Sequence, residues 1–354
     1  MSPAPSRDAR AELISHEDRG EVLETPQAQL SAHLHTPAEV MFVRNNNPYP
    51  PGTDTLRPLP ASGALELAGL QGGPVTLDLA ALSVLPHTEV EAVMQCAGNG
   101  RAFYRGAEHI EGSAWRRGGV MNGVFGGVPL SEVLAGRVPE LGARFLTATG
   151  HDGGCGYEKS VPLADALARA LLVDRLNGES LCGAHGGPLR LVLPGYFGTV
   201  NVKWLRRLSF TPEETAHEAQ QERYRVPTED GGSRPCWRQP LKSLLLSPEA
   251  GEVRPAGPLT ASGVAFNDGR CAIAQIELTL DGGASWRPAE LEPARGLYAW
   301  RRWQASLDLP SGQHTLGVRA TDAEGRAQPL DGNATWNPEG YGWQGVDFVT
   351  FELR

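Results

Sequence analysis

The 354-residue sequence has few cysteines, and they follow none of the usual metal or disulfide spacings. The five are odd in number and widely separated, at Cys96, Cys155, Cys182, Cys236 and Cys271. No CxxC, CxxCH or mixed Cys/His zinc pattern occurs. This absence disfavours structural zinc and covalently attached haem, and nothing indicates a disulfide framework.

Long apolar runs and excess positive charge are missing as well. No run approaches the roughly 18 apolar residues of a membrane-spanning helix. The N-terminus lacks an apolar signal region and a twin-arginine pair. The formal net charge is −9, from 32 Lys and Arg against 41 Asp and Glu, which disfavours nucleic-acid and membrane partners. We expect a cytoplasmic protein, or a periplasmic one if a leader has been removed.

Glycine and proline are abundant, with 43 and 28 residues, and this favours turns and strands over long helices. We predict an α+β protein with an arm at 1–33 that contains one short helix, a mixed domain at 34–226 and an all-β domain at 241–354. Within the mixed domain we predict a helix that Ser160 caps and another over 212–222. The Gly/Pro-rich stretch 227–240 is predicted to be the linker. In the last domain seven short β-like runs alternate with turn signals, which favours an immunoglobulin-like sandwich, although the Cys…Trp…Cys signature is absent.

A cysteine at the end of a predicted strand is the first candidate for chemistry. The alternating run Glu89–Gln95 predicts the strand, and the small residues Ala97–Gly100 after Cys96 allow a sharp turn. Arg101 follows, and a nearby cation favours the thiolate, the form that binds metals. The alternative is a buried structural cysteine.

Three further side chains stand in loops. Arg44 follows a short apolar run and enters a loop of three Asn and three Pro, where it is either functional or simply solvated. Trp115, beside two Arg and among Gly residues, is either a pocket wall or a core anchor. His185 stands just before an apolar strand, where a histidine is more often a turn residue than a ligand.

Taken together, these segments resemble the sulfite oxidase family of molybdenum enzymes over nearly the whole chain. The motifs that carry the resemblance in the first domain are Phe42–Asn45, Gln95–Arg101, His185 with Arg190 before Pro194-Gly195, and Val202–Leu205. In the second domain they are Gly263–Phe266, Leu280–Trp286 and Trp336-Asn337. The resemblance implies a mixed α/β molybdopterin-binding catalytic domain followed by an immunoglobulin-like dimerisation domain.

The resemblance also implies a role for each matching residue. Cys96 matches the thiolate that binds molybdenum beside the dithiolene of molybdopterin, and a soft sulfur donor suits such a centre. The residues that match the catalytic pocket are Arg44, Arg101, Trp115 and Tyr224. The residues that match the cofactor contacts are Phe42, Val43, Arg44, Asn45, Asn46, Asp152, His185, Arg190, Asn201, Val202 and Lys203.

The implied reaction is oxidation of sulfite, or a similar small oxyanion, to sulfate by a homodimer with an external electron acceptor. Two features depart from the animal members of the family. Asn46 stands where a histidine is usual, and Gly342–Val346 lacks the basic residue that completes the substrate pocket there. Nitrate or sulfoxide reduction on the same scaffold is one alternative. A non-catalytic β-sandwich binding protein with a structural Cys96 is another.

Overall fold

The structure, a computed structural model, describes residues 12–154 and 156–354. In the first two thirds of the chain the elements are β1 (Ile14–Ser15), β2 (Val22–Glu24), α1 (Gln27–Ala32), β3 (Val43–Arg44), β4 (Ala64–Ala68), β5 (Val75–Asp78), α2 (Leu79–Leu82), β6 (Thr88–Gln95), β7 (Val120–Pro129), α3 (Leu130–Leu134), β8 (Phe145–Gly150), β9 (Tyr157–Pro162), α4 (Leu163–Arg169), β10 (Leu171–Leu176), β11 (Glu179–Ser180), β12 (Arg190–Val192), β13 (Leu205–Thr211), α5 (Glu218–Gln221), β14 (Arg225–Pro227) and β15 (Ser233–Pro235). In the last third they are β16 (Lys242–Ser247), β17 (Val253–Arg254), β18 (Gly257–Phe266), β19 (Ile273–Thr279), β20 (Arg287–Pro288), β21 (Glu290–Leu291), β22 (Arg301–Leu309), β23 (Gly312–Asp322) and β24 (Asp347–Leu353).

Two five-stranded sheets form the centre of the first domain. One has the order β11-β10-β7-β6, with β12 also paired to β10, and the other has the order β5-β4-β13-β8-β9. Leucines and valines from both sheets share one buried cluster, among them Leu65, Leu146, Leu172 and Leu208. The predicted strand Glu89–Gln95 is β6, which ends at Gln95 and therefore delivers Cys96 to the end of the sheet.

Residues 12–33 of the expected arm are folded onto this domain, and residues 1–11 lie outside the described part of the chain. Strands β1, β2 and β3 form a three-stranded antiparallel sheet, in which Val22 pairs with Arg44 and Leu23 with Val43. The short helix expected in the arm is α1, and its Leu30 is buried in a cluster that also contains Val93 of β6. The arm therefore fixes the backbone of the residues around Arg44.

Two helices differ from the sequence prediction. Ser160, expected to cap a helix, lies inside β9, where its hydroxyl is 2.7 Å from the Thr147 hydroxyl on the neighbouring strand. The helix itself, α4, begins only after Pro162. A helix expected over 212–222 is reduced to the single turn α5. In both cases pairing and side-chain contacts with β8 and β9 outweigh local helix signals.

The last third of the chain is a two-sheet all-β domain. Its sheets have the orders β16-β18-β22-β21 and β17-β24-β23-β19-β20. Alternating side chains from both sheets, such as Ile276, Trp303, Val318 and Phe351, form its core. The immunoglobulin-like connectivity stays a prediction. The expected linker begins at the last residue of β14 and contains β15, with which β14 forms a hairpin, and Gln239 donates hydrogen bonds to two carbonyls of the first domain.

The two domains are joined by polar and apolar contacts. Arg117 donates from Nε to Asp347 Oδ2 at 2.8 Å, and its Nη2 contacts the other carboxylate oxygen. Both side chains are nearly inaccessible, with 6% and 1% exposure. Asp347 Oδ2 also accepts from the Leu245 amide at 2.9 Å. Among the described residues, no helix has the length and apolar character needed to cross a membrane.

We predict that Asp347→Ala destabilises the whole chain. Removing one partner of a buried ion pair leaves an uncompensated Arg117 charge and costs about 3–5 kcal/mol. The control is Glu213→Ala, because Glu213 pairs with Arg144 on the surface at 77% and 62% exposure. The control should lose less than about 1 kcal/mol. Urea unfolding followed by tryptophan fluorescence measures both; equal losses in the two variants would contradict the prediction.

Candidate active site

A cleft of about 880 Å³ opens beside the end of β6. Its wall comes from segments far apart in sequence, namely the β3 loop, the Cys96 loop and the stretch that follows β12. The residues that line it are Met41, Phe42, Arg44, Asn45, Asn46, Asn47, Met94, Cys96, Ala97, Met121, Asp152, Tyr157, His185, Arg190, Gly198, Thr199, Asn201, Val202, Lys203, Trp204 and Tyr224. A concave site lined by apolar side chains with a few converging polar groups is typical of a small-molecule or cofactor site.

The Cys96 loop has a defined backbone. The Cys96 amide donates to Gly119 O at 2.8 Å, and the Gly119 amide donates to Asn99 Oδ1 at 3.0 Å. Gly100 has a φ of +91°, and a Cβ there would lie 2.6 Å from Cε3 of Trp343, which comes from the second domain. Only glycine fits both the left-handed backbone and this close approach. The thiol therefore faces the cleft from a rigid support.

The charge state of the thiol differs from the sequence expectation. Burial raises the pKa of Cys96 above its ordinary value, and the opposing charges of Arg44 and Arg101 do not cancel this effect. The protein alone therefore holds the thiol protonated at neutral pH. Metal binding displaces that proton, since the thiolate is the form that coordinates a metal.

Two buried nitrogen atoms at the cleft have no protein partner among the described residues. They are Nδ2 of Asn45 and Nε of Arg190. The other guanidinium nitrogens of Arg190 donate to His185 O and Asn201 O, both at 2.9 Å. Burial lowers the pKa of Arg190 to about 10, so that it remains a cation at neutral pH. Buried donors without partners are costly, which indicates that a ligand satisfies them.

Other predicted cofactor contacts are tied to the protein in different ways. Lys203 Nζ donates to Asn45 Oδ1 and, at 3.2 Å, to Ala184 O. His185 Nε2 donates a hydrogen bond to Ala38 O at 2.8 Å. The Asn201 side chain is hydrogen-bonded to the backbone, since its Oδ1 accepts from Leu193 N at 2.6 Å. These bonds fix the wall of the cleft.

Asp152 and Asn46 also line the cleft and are likewise engaged. Asp152 Oδ2 accepts from Asn47 Nδ2 at 2.7 Å. Asn46 Oδ1 accepts from the Tyr224 hydroxyl at 3.0 Å and from Arg223 Nη2 at 3.1 Å. Asn46, at the position where the resemblance gives a histidine in animal members of the family, therefore links the predicted Tyr224 to an arginine that the sequence did not single out.

Three predicted residues lie outside the cleft wall, which corrects their expected placement. Trp115 is 1% exposed, and its ring packs edge-on against Phe42 with the ring centroids 5.9 Å apart. It is therefore a core residue and not a pocket wall. Val43 is buried inside its strand. Arg101 is also buried and donates to Ser113 O at 2.9 Å and Glu339 O at 3.0 Å. These carbonyls occupy its Nη1 and Nε, while its charge still acts on the Cys96 thiol, whose pKa it lowers.

Several residues at or behind the cleft were missed by the sequence analysis. Met41, Met94, Tyr157 and Thr199 line it, and an apolar or hydroxyl residue in a strand or loop gives no pattern that predicts this. Lys242 gave a signal that could have been used, because it is a charged residue inside an apolar run. It lies behind the Cys96 loop and donates to Asn99 O at 2.9 Å.

Comparison with known proteins identifies the class. Residues 56–219 match the oxidoreductase molybdopterin-binding domain, and residues 234–343 match the Mo-co oxidoreductase dimerisation domain. The chain is 32% identical over 345 residues to mitochondrial sulfite oxidase of Homo sapiens, covering 90% of this chain and 61% of that protein. Sulfite oxidase of Gallus gallus is 32% identical over 340 residues, covering 90% of this chain and 73% of that protein. The crystal structure of the sulfane dehydrogenase SoxCD from Paracoccus pantotrophus superposes with a TM-score of 0.83 at 25% identity, over 100% of this chain and 94% of that one.

The chain is thus a molybdopterin-binding oxidoreductase with a dimerisation domain. Within that class it belongs to the sulfite oxidase family, as its motifs predicted. It spans 61% of the length of the human relative. The expected cofactor, molybdenum–molybdopterin, is confirmed at the level of the family, and so is the fold of a mixed domain followed by a β-rich dimerisation domain.

The residues of the cleft fit this cofactor. A soft thiol at Cys96 suits a sulfur-rich metal centre. The cations Arg190 and Lys203 and the unpaired amide of Asn45 suit a phosphate-bearing pterin, because guanidinium and ammonium groups form strong bonds to phosphate. Among residues 12–154 and 156–354, no cluster of three or more His, Cys, Asp or Glu side chains could hold a metal ion.

We predict that Arg190→Lys lowers cofactor retention. Lysine keeps the charge but has a single nitrogen, so it cannot donate to both carbonyls and also replace the Nε that binds the cofactor. One charge-assisted hydrogen bond is worth about 1.5–3 kcal/mol. The cofactor dissociation constant should therefore rise about ten- to a hundredfold. The measurement is molybdenum and released pterin per chain after gel filtration. Arg207→Lys, on the surface at 47% exposure, is the control; equal cofactor content in both variants would contradict the assignment.

Proposed function

We propose that this chain oxidises sulfite to sulfate with the molybdenum cofactor and passes the electrons to an external acceptor. The observation that carries the proposal is the presence of the Cys96 thiol and the Arg44 guanidinium in the wall of one cleft. The thiol gives a metal ligand and the guanidinium gives a cation for an oxyanion. Sulfite oxidases at 32% identity support the choice of substrate.

When bound, the cofactor supplies a two-electron oxo-transfer couple. In the overall reaction sulfite sulfur gains one oxygen that derives from water, two electrons leave to the acceptor, and two protons are released. The protein contributes binding and charge. Cys96 holds the metal, Arg190, Lys203 and Asn45 hold the pterin and its phosphate, and Arg44 attracts the anion against the net charge of −9.

The Tyr224 hydroxyl points to the same cleft through its bond to Asn46 Oδ1. It is a polar group of fixed orientation, so it can contact the oxygen atoms of a bound oxyanion. The aromatic ring is stacked on Tyr341 of the second domain, with centroids 5.3 Å apart. The second domain thereby helps to position a residue of the proposed substrate site.

A second candidate substrate is a sulfane sulfur atom. The sulfane dehydrogenase of Paracoccus pantotrophus matches the whole of this chain, which favours this alternative over nitrate or sulfoxide reduction. One molybdenum-loaded sample should be assayed with sulfite, thiosulfate, nitrate and a sulfoxide. Sulfite oxidation faster than any other turnover supports the proposal. Thiosulfate turnover without sulfite turnover would replace it, and a protein that purifies without molybdenum would indicate a non-catalytic role.

We also propose that the chain forms a homodimer through residues 241–354. The matched dimerisation domain at residues 234–343 supports this, and so does the absence of any cleft residue from that part of the chain among those described.

We predict that Cys96→Ser abolishes turnover and leaves the fold intact. Serine is nearly isosteric, so the loop bonds from Gly119 remain, but oxygen replaces the soft sulfur donor. Circular dichroism and thermal unfolding should match the wild type, while sulfite oxidation falls below detection. Cys271→Ser is the control, since Cys271 lies in the second domain and is partly exposed. Wild-type turnover by a folded Cys96→Ser protein would refute the ligand assignment.

We predict that Arg44→Gln and Arg101→Gln have different effects. Arg44 lines the cleft, so losing its charge-assisted contact of about 1.5–3 kcal/mol should lower kcat/KM for sulfite about ten- to a hundredfold, mostly through KM. Arg101 holds carbonyls of both domains, so its variant should lose stability first. Steady-state kinetics and urea unfolding separate the two. Unchanged kinetics in Arg44→Gln would remove this residue from the substrate site.

A further inference from the structure

The guanidinium of Arg44 has two sides. One side lines the cleft. On the other side its Nη1 donates to Arg19 O at 2.8 Å and Asn45 O at 2.6 Å, and its Nη2 lies 3.7 Å from Asp18 Oδ2. The proposed substrate cation is therefore paired with a carboxylate from the N-terminal arm.

Asp18 is held in this position by the first domain. Its Oδ2 accepts from the Ser113 amide at 3.0 Å and from the Ser113 hydroxyl at 2.6 Å. Ser113 is 2% exposed, and the Asp18 and Arg44 side chains are 16% and 14% exposed. Gly20, two residues on, lies so close to the β3 loop that a Cβ there would be 2.0 Å from Asn45 O. The carboxylate is thus fixed on a close-packed turn.

The charge of Asp18 is retained at neutral pH. Burial raises the pKa of its carboxyl, but the hydrogen bonds from Ser113 and Arg19 and the charge of Arg44 outweigh this, so that the pKa lies below its ordinary value. Asp18 and Arg44 therefore carry opposite charges, with Asp18 Oδ2 and Arg44 Nη2 3.7 Å apart.

Two other arginines near the cleft are bonded to protein groups. Arg101 was expected to share the anion, but its Nη1 and Nε donate to Ser113 O and Glu339 O. Arg223 donates to Asn46 and lies 3.6 Å from Glu218. The field of Arg44 at the cleft is accordingly reduced by the neighbouring carboxylate.

We propose that Asp18 is a specificity-determining residue that opposes anion binding at Arg44 and discriminates against dianions more than monoanions. Coulomb repulsion is proportional to the charge of the anion, so a fixed carboxylate penalises a dianion about twice as strongly. The inference rests on the proposed function, because it takes Arg44 as the substrate cation. Asp18 itself does not line the cleft and acts through its charge.

The first experiment uses the full-length chain without cofactor. Cys96 is alkylated with iodoacetate, an anion, or with iodoacetamide, a neutral reagent of similar size, and modification of the Cys96 peptide is followed by mass spectrometry. The ratio of the iodoacetate rate to the iodoacetamide rate reports the local charge, because any change in the thiolate fraction affects both rates equally. For Asp18→Asn, which keeps an oxygen acceptor for Ser113, the ratio should rise about three- to tenfold, as expected for one charge removed at short range.

Two matched variants serve as controls. Asp308→Asn makes the same change in net charge on the exposed face of β22 in the second domain, and its ratio should equal that of the wild type. Asp18→Glu keeps the charge, so its alkylation ratio should stay within about twofold of the wild type. The reason is that the charge at this position, and not the packing of the arm, determines the ratio. An equal rise in Asp18→Asn and Asp308→Asn, or no rise in either, would overturn the inference.

The second experiment uses the molybdenum-loaded protein. In Asp18→Asn the inhibition constant for nitrate, a monoanion like iodoacetate, should fall about three- to tenfold, and that for sulfate, a dianion, should fall about ten- to a hundredfold, because the repulsion energy that is removed is doubled. KM for sulfite should fall with kcat nearly unchanged. A raised alkylation ratio in a protein that does not oxidise sulfite would leave the charge effect standing and reject the proposed function. Sulfite oxidation with an unchanged ratio and unchanged sulfate inhibition would reject the role of Asp18 alone.

Discussion

The structure depends on the contact between the Cys96 loop and the second domain. Gly342 N donates to Ala97 O at 2.8 Å, and Lys242 Nζ donates to Asn99 O at 2.9 Å. Trp343 packs on Gly100 at a distance that excludes any side chain there. The loop that presents the thiol is therefore supported from behind by residues more than a hundred positions away. The domain that matches the dimerisation domain thereby also supports the loop that carries Cys96, the proposed metal ligand.

The interface between the two domains, which supports the Cys96 loop, contains buried charges. Arg117 and Asp347 pair with almost no exposure, and Lys242 is fully buried. Burial lowers the pKa of Lys242 to about 7, which reflects the cost of holding a cation there. Buried charges specify one relative position of the two domains, because any displacement would leave them unpaired. The geometry of the cleft is thereby fixed before a cofactor binds.

The cleft combines fixed and unsatisfied groups. Asn201 and His185 are committed to backbone bonds and shape the wall, whereas Asn45 Nδ2 and Arg190 Nε remain without a protein partner in the described part of the chain. The first kind of residue gives rigidity, and the second gives affinity for a polar ligand. Arg44 belongs to a third kind, since we propose that a neighbouring carboxylate on the arm reduces its attraction for anions.

The sequence by itself determined the family, the strand before Cys96, the order of the two domains and many of the residues that line the cleft, because these follow from local patterns and from motifs in a fixed order. It could not place Trp115 behind Phe42 or direct Arg101 to carbonyls, since burial and hydrogen-bond partners arise from segments distant in the chain. It assigned Ser160 to a helix cap that strand pairing overrides. Only the tertiary structure brought Asp18 to Arg44, because electrostatic interactions act through distances in space, and the 25 residues between them carry no sign of that contact.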